Sequence, residues 1–388
     1  MSNNPKPVLK PADPHFSCGP VKKYPGWTFD ALAQAALSRT HRSATAVARI
    51  REAMDRTHAL LGLPDDYRVG IIGGSDTGAM EAAMWSLLGP RGVDAFGWDV
   101  FGNKWVEDTR HQLKLDDLRT FQAPAGQLPD VSQYTGDRDV VFTYNGTGAG
   151  VCVPDLDWIP ADRAGLSLCD ATSAAFAVDI DWSKIDVLTF SWQKCMGGEA
   201  QHGILIMSPR AIERLNTHTP SWPVPSVLSL HKKGKANMGL YEGSTINTIS
   251  LMCVEDYIAA LKWASKAGGL PAMIDRTEAN FAELDRWVQT CDWLDYLCEI
   301  PGHRSHTSVT LKFTEARVAA MDVDTQWALS KKMLELLERE NAALDPNMHR
   351  DAVPGIRIWC GPTMERDDLA ALGPWLDWAY REALDALA

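Results

Sequence analysis

Lys194 stands in the run Asp186 to Pro209, DVLTFSWQKCMGGEAQHGILIMSP, which reads as an apolar strand, a short polar turn carrying the lysine, a glycine pair and a second strand. A lysine fixed in a turn between two apolar strands loses solvation of its ammonium, and this favours the neutral amine that can attack an aldehyde. The run GLSLCDATSAAFA, 165–177, ends an apolar strand on Asp170, 24 residues before the lysine and at the strand end where open α/β sheets bind ligands. A carboxylate there can sit under a protonated pyridine nitrogen. Together the two residues supply what pyridoxal phosphate requires: an amine for the aldehyde carbon and an anion that keeps the ring cationic and electron-withdrawing. Taken singly, Lys194 reads as a solvated turn lysine and Asp170 as a helix cap.

Other motifs are weighed in the same way. GGSDTGA, 73–79, opens a helix directly after a strand. Backbone N–H groups at such a start, with the hydroxyls of Ser75 and Thr77, make a small anion site for a monophosphate, and the alternative is an ordinary turn capped by Ser75 or Asp76. YNGTGAGV, 144–151, lacks the glycine spacing of a dinucleotide fingerprint and runs into VCVP, which cannot open a helix, so nicotinamide binding is excluded. The Thr147 hydroxyl could instead bond a ring oxygen of a cofactor. Trp105, in FGNKW, could stack on a flat ring, with core packing the alternative for any of the 15 tryptophans. Ser191 and Lys194 also match the SxxK of serine acyl-transfer enzymes, but Lys-Thr-Gly is absent and Tyr144 and Asn145 are adjacent rather than separated by one residue.

Two basic clusters remain, His41-Arg42 and His349-Arg350 with Arg357. An arginine fork grips a carboxylate or phosphate through paired hydrogen bonds, and strand alternation in GIRIW turns Arg357 away from its isoleucine neighbours toward a cleft. A substrate with two anionic groups would account for both clusters; solvated surface charge is the alternative.

The elements that must position these residues follow from periodicity. Strands are expected at 68–74, 139–145, 165–171, 186–191 and 202–208, with a further apolar run at 93–102, a helix at 78–89 and two helices between 28 and 61. Short continuous apolar strands separated by helices indicate a mostly parallel sheet covered on both faces, an α/β class. After about Val254 long helices, strands near 308–313 and 355–361 and a final amphipathic helix over 367–387 predict a smaller α+β domain. The 388 residues exceed the roughly 250 to 300 at which single cores stop growing. The expected division is an N-terminal arm, 1–27, a large α/β domain, 28–254, and a small domain, 255–388.

The net charge of −12 argues against nucleic acid or an anionic membrane surface as partner. Eight scattered cysteines form no CxxC pair and have no histidines at zinc-ligand spacing, so no metal is expected and the thiols are expected to be reduced. No apolar run approaches a membrane span and the N-terminus has no hydrophobic signal core, so a cytoplasmic protein is expected.

Beyond this chemistry, FSCGP (16–20) with YPGW (24–27), HRS (41–43), GGSDTGAMEAAMWSLLG, SWQKCMGGEAQHGILIMSPRAIERL and HRDAVPGIRIWCG together resemble the phosphoserine aminotransferases of class V, in the branch with a serine-aspartate turn. The resemblance covers about residues 14 to 365. It implies a fold-type-I pyridoxal-phosphate-dependent transferase, a homodimer, that exchanges amino groups in ping-pong fashion between phosphoserine with 2-oxoglutarate and 3-phosphohydroxypyruvate with glutamate. It further implies that Lys194 holds the cofactor and shuttles a proton, and that Asp170 pairs with the pyridinium. Trp105 would stack on the ring, Trp98 being the alternative. Thr147 and Gln193 would touch cofactor oxygens, and Ser75 with Asp76 would present backbone donors to the phosphate. Asn247 and Thr248 would reach the phosphate held by the other subunit. Arg357 would hold the substrate α-carboxylate, while His41, Arg42, His349 and Arg350 would receive its distal phosphate or carboxylate. Asp76 stands where other branches place arginine.

Overall fold

The computed structural model describes residues 4–33, 35–349 and 351–387. Its strands are β1 (Arg68–Gly73), β2 (Val93–Gly97), β3 (Leu118–Gln122), β4 (Asp139–Thr143), the two-residue β5 (Asn145–Gly146) and β6 (Val151–Cys152), β7 (Ser167–Asp170), β8 (Val187–Ser191), β9 (His202–Met207), β10 (His231–Lys232), β11 (Lys235–Ala236), β12 (Leu294–Tyr296), β13 (Ser308–Phe313) and β14 (Gly355–Trp359). The helices are α1 (Ala44–Leu60), α2 (Ser75–Leu87), α3 (Val100–Glu107), α4 (Pro209–Thr217), α5 (Leu251–Ala267), α6 (Gly269–Val288), α7 (Ala316–Ala319), α8 (Val323–Arg339) and α9 (Arg366–Leu387).

Seven strands form the central sheet in the order β1-β9-β8-β7-β4-β2-β3. Pairings from β8 through β3 are parallel, whereas β9 is antiparallel to both its neighbours. The reversal follows from connection length: only residues 192–201 join β8 to β9, and a parallel crossover needs about a dozen residues or more. Lys194 is therefore held on a tight return at the carboxyl ends of the parallel strands. β2, β4, β7 and β8 are buried along their whole length, as their unbroken apolar character requires for a sheet covered on both faces.

At the amino ends of these strands each buried carboxylate has an arginine. Arg138 Nε donates to Asp94 at 2.7 Å, Arg214 Nη1 to Asp139 at 2.8 Å, and Arg163 and Arg210 both donate to Asp186. A buried charge without such a partner is costly, so this edge is a settled structural network. The carboxyl-end edge is different.

A second, antiparallel sheet, β12-β13-β14, packs with α6, α8 and α9. The expected boundary at 254/255 falls in the first turn of α5, a single unbroken helix that packs on both α1 and α6. The N-terminal arm is extended but not free. Phe16 N donates to Leu344 O, Trp359 N to Phe16 O, and Lys22 pairs with the buried Asp368.

Some expectations need correction. Among the described residues of 28–61 one α-helix forms, preceded by a 3-10 turn at Phe29–Leu32. The run 93–102 is a strand that ends at Gly97, after which Asp99 caps α3 by accepting from the Phe101 and Gly102 amides, so FGNKW is helical. β3 escaped notice because its residues are half exposed and carry no apolar run.

Candidate active site

The lysine turn is closed from below by the N-terminal arm. Val21 N donates to Gln193 O at 2.9 Å, and Lys194 Nζ donates to Cys18 O. Gly19 lies directly under the amine, where a Cβ would stand 2.0 Å from Nζ, so no other residue fits without moving the lysine. Lys194 is buried, and burial first, then the neighbouring Arg357 guanidinium, push its pKa down to about 8; Cys18, Asp170 and Cys195 oppose the shift. The neutral amine, which a nucleophilic or proton-carrying lysine needs, is thus a minor but appreciable form near physiological pH rather than a trace.

Asp170 ends β7 facing the same space. Its Oδ1 accepts from Thr172 N at 2.9 Å and its Oδ2 from Trp105 Nε1 at 3.0 Å. Trp98, the alternative stacking residue, donates its indole N–H to Val151 O within the core, whereas the Trp105 indole N–H lies on Asp170. Thr147 sits in the turn between β5 and β6, its hydroxyl 2.7 Å from that of Ser173, which in turn accepts from Asn145 Nδ2 at 2.7 Å. Arg357, on β14, reaches the Thr147 carbonyl with Nη1 at 3.3 Å, while its buried Nε has no hydrogen-bond partner. No carboxylate pairs with this guanidinium among the described residues. A buried, unpaired arginine is strongly unfavourable unless an anion arrives to match it.

Three acids, Asp76, Asp99 and Asp170, are buried at this edge. Asp99 accepts from three backbone amides, those of Phe101, Gly102 and Gly148, yet burial still lifts it to about 6, with the Asp170 charge adding to the rise.

The expected phosphate turn is built differently from its sequence reading. α2 begins at Ser75, so Ser75, Asp76 and Thr77 are its first turn. Ser75 N donates to Gln201 O and Asp76 N to the Ser191 hydroxyl at 2.6 Å, so in this arrangement neither amide is free for an anion. Donors come instead from side chains. The Ser75 and Ser191 hydroxyls lie 2.7 Å apart and Gln193 Nε2 donates to Ser75 Oγ at 3.0 Å, bonds that hold Ser75 at a left-handed φ of 60°. Ser191 is occupied by these contacts and Lys194 by Cys18, so the SxxK pair of an acyl-transfer site is not assembled.

Asn247 and Thr248 are exposed and line a cavity of about 300 Å³ with Gly73, Gly74 and His202 of the same chain. His41 is half-buried and Arg42 exposed, just ahead of the Ser43 cap of α1. They share a face with the 242–248 loop, since Arg51 of α1 donates to Glu242 O and Gly243 lies against Val47. His349 packs edge-on against Phe101 of α3, with ring centres 5.5 Å apart. Arg350 lies outside the described residues. Lys194, Asp170, Trp105, Thr147 and Arg357 thus converge in one chain, whereas His41 and Arg42 lie ahead of α1, on the side of the 242–248 loop.

Sequence reasoning missed the Cys18 carbonyl and the Ser191, Ser173 and Asp99 contributions. Only Asp99 left a local trace, as an aspartate one residue before a helix; the others are distant in sequence from what they touch.

The residues fit pyridoxal phosphate: a buried arginine without a carboxylate partner among the described residues, an amine whose pKa is lowered, an oriented carboxylate beside an indole, and a hydroxyl cluster at a helix start. No protein-family model matches the chain. A relative named phosphoserine aminotransferase, from Methanosarcina mazei, is 48% identical over 375 residues, which is 97% of this chain and 99% of that relative. A crystal structure of a phosphoserine aminotransferase from Cytophaga hutchinsonii superposes with a TM-score of 0.80 at 21% identity, covering 94% of this chain and 98% of its own. An alanine–glyoxylate aminotransferase from Nostoc sp. gives a TM-score of 0.76 at 19% identity, covering 98% and 97%. At those identities the two crystal structures share the fold alone.

Proposed function

The chain belongs to the phosphoserine aminotransferase family, and from that premise we propose that Lys194, Asp170 and Arg357 form its reaction centre and that it works as a homodimer in the cytoplasm. The enzyme is a pyridoxal-phosphate-dependent transaminase that moves the amino group of L-glutamate to 3-phosphohydroxypyruvate, giving O-phospho-L-serine and 2-oxoglutarate in L-serine biosynthesis. The observation that carries the assignment of roles is the buried Arg357, whose unpaired Nε belongs to a guanidinium close enough to Lys194 to depress its pKa.

Pyridoxal phosphate, when bound, supplies an aldehyde that condenses with amines and a ring that accepts the electron pair left when the substrate Cα–H bond breaks. Arg357 holds the substrate α-carboxylate in a fork and so fixes Cα beside the amine. Lys194, in its neutral form, would take the Cα proton and return it at C4′ of the cofactor, the carbon on the far side of the transferred nitrogen. Asp170 keeps a positive heterocyclic nitrogen in place, and Trp105 fixes Asp170 while excluding water. Ser75, Gln193 and Thr147 would supply hydroxyl and amide groups to the cofactor oxygens. A coupled assay of glutamate with 3-phosphohydroxypyruvate, with and without added pyridoxal phosphate, tests the whole; turnover that ignores the cofactor would refute it.

The lysine's titration gives a second test. When apo-protein is mixed with pyridoxal phosphate, the rate at which visible absorbance grows is expected to climb as pH rises through about 8 and then to level off. A climb that continues to about pH 10 would mean an ordinary solvated amine.

The homodimer reading is supported by exposed Phe29, Leu37, Val227 and Met238, apolar side chains without cover in a single chain, and by the shared face of Arg42, Asn247 and Thr248. On a dimer this face brings those residues to the neighbouring site, where Arg42 and His41, with His349 and Arg350, would meet the substrate's distal anion. Arg42→Ala is expected to lower kcat/KM for 3-phosphohydroxypyruvate by about 10- to 100-fold with no change in cofactor binding. Unchanged kinetics would favour a transaminase of the alanine–glyoxylate type, which needs no distal anion grip. The eight free cysteines fit a reducing compartment, and no helix among the described residues is long and apolar enough to cross a membrane.

A further inference from the structure

Asp76 is only 6% exposed and its Oδ1 has no hydrogen-bond partner. Its position over the sheet is fixed by register. Asp170 and Thr189 are direct neighbours across the β7–β8 pair, and Ser191, two residues beyond Thr189, shares their face. The first two turns of α2 lie on that face: Asp76 N donates to Ser191 Oγ at 2.6 Å, and one turn later Met80 Sδ is 3.7 Å from Thr189 Oγ1. The Asp76 carboxyl thus faces Asp170, with the Thr172 and Thr189 hydroxyls beside the two acids.

Two buried carboxyls that face each other resist carrying two charges, which favours one proton held between them. Its place is set by the donors around each acid. Both Asp170 oxygens accept an N–H, from Thr172 and from Trp105, and those bonds stabilise a carboxylate. Asp76 has no such N–H donor on Oδ1; burial first, then the Asp170 charge, push its carboxyl well above the ordinary range, against the opposing Thr189 and Thr172 hydroxyls.

We propose that Asp76 is a positioning residue for Asp170, the acid member of a carboxylic acid–carboxylate pair, which by donating a hydrogen bond keeps Asp170 ionised and turned toward the heterocyclic nitrogen of the cofactor. A donor on a carboxylate lowers its basicity, so the proton between Asp170 and the ring remains on the ring nitrogen. Asp76 thereby serves the ring end of the cofactor, although its place in the sequence pointed to the phosphate end. The inference rests on the assignment of Asp170 to the ring nitrogen.

The test is nitrogen NMR of the holoenzyme loaded with pyridoxal phosphate labelled at its ring nitrogen. Wild type and Asp76→Asn, whose amide still donates to Asp170, are expected to give the signal of a protonated ring. Asp76→Leu, similar in size but without a donor, is expected to move that signal well toward neutral pyridine; Asp76→Ala, which needs less room, reads the same quantity if the leucine variant does not fold. A wild-type signal in the leucine or alanine variant would show that Asp76 only fills space and would overturn the proposal, as would an asparagine variant that behaves like leucine. Should the wild-type protein show only free-cofactor signal, or should borohydride fail to attach the cofactor to Lys194, the functional reading itself fails and the inference with it.

Discussion

Lys194→Ala is expected to reduce transamination by about 10⁴-fold while leaving the fold intact, because the variant removes both the attacking amine and the group that carries the Cα proton. The side chain is buried and its Nζ donates to the Cys18 carbonyl, so truncation leaves a cavity without breaking an ion pair. A small primary amine added to the assay should restore part of the rate, since it can occupy that cavity as a diffusible base. Loss of activity without any rescue, together with a lowered melting temperature, would point to a structural role for the lysine. Retention of more than about a tenth of the wild-type rate would remove Lys194 from the proton-transfer step altogether.

The second large effect belongs to Arg357. Arg357→Ala deletes the fork expected to hold the substrate α-carboxylate, and losing one member of a buried charge pair costs about 2–5 kcal/mol, or roughly 30- to several-thousand-fold in kcat/KM. The loss should appear for glutamate and for 3-phosphohydroxypyruvate alike, because both carry the α-carboxylate. Arg357→Lys should recover only part, since an ammonium supplies charge without the planar pair of donors. A further consequence follows from the electrostatics: Arg357 is the second-largest cause of the lowered Lys194 pKa, so in Arg357→Ala the lysine should titrate above about 8. Absorbance titration of the apo-protein with pyridoxal phosphate at several pH values measures this. An unshifted profile, with kcat/KM near wild type, would place the substrate carboxylate elsewhere.

Much of this was legible in the chain. β8, the lysine turn and β9 announce themselves because two runs of apolar residues flank a polar segment too short for a crossover. The position of Asp170 at a strand end follows from the same kind of local pattern. The end of the 93–102 run was not legible, because Gly97, Trp98 and Asp99 interrupt a stretch whose apolar residues suit either strand or helix. β3 was hidden because an edge strand need not be apolar.

The site divides along the same line. Lys194, Asp170, Thr147 and Arg357 were identifiable because side-chain chemistry and strand position are both written locally. The Cys18 carbonyl under the amine was not, since any residue supplies a carbonyl and the segment carrying it lies 176 residues away. Asp76 shows the difference most directly. Its place beside a helix start suggested a backbone donor to phosphate, whereas packing of α2 across β7 and β8 turns the carboxyl toward Asp170 and leaves its amide on Ser191. The sequence by itself determined the chemical groups and the order of the elements, because both depend on residue identity and on periods of two and 3.6 residues. Only the tertiary structure decided which acids face each other, which arginine lacks a carboxylate partner and which carbonyl meets the lysine, because contacts and desolvation depend on neighbours that the chain brings together only by folding.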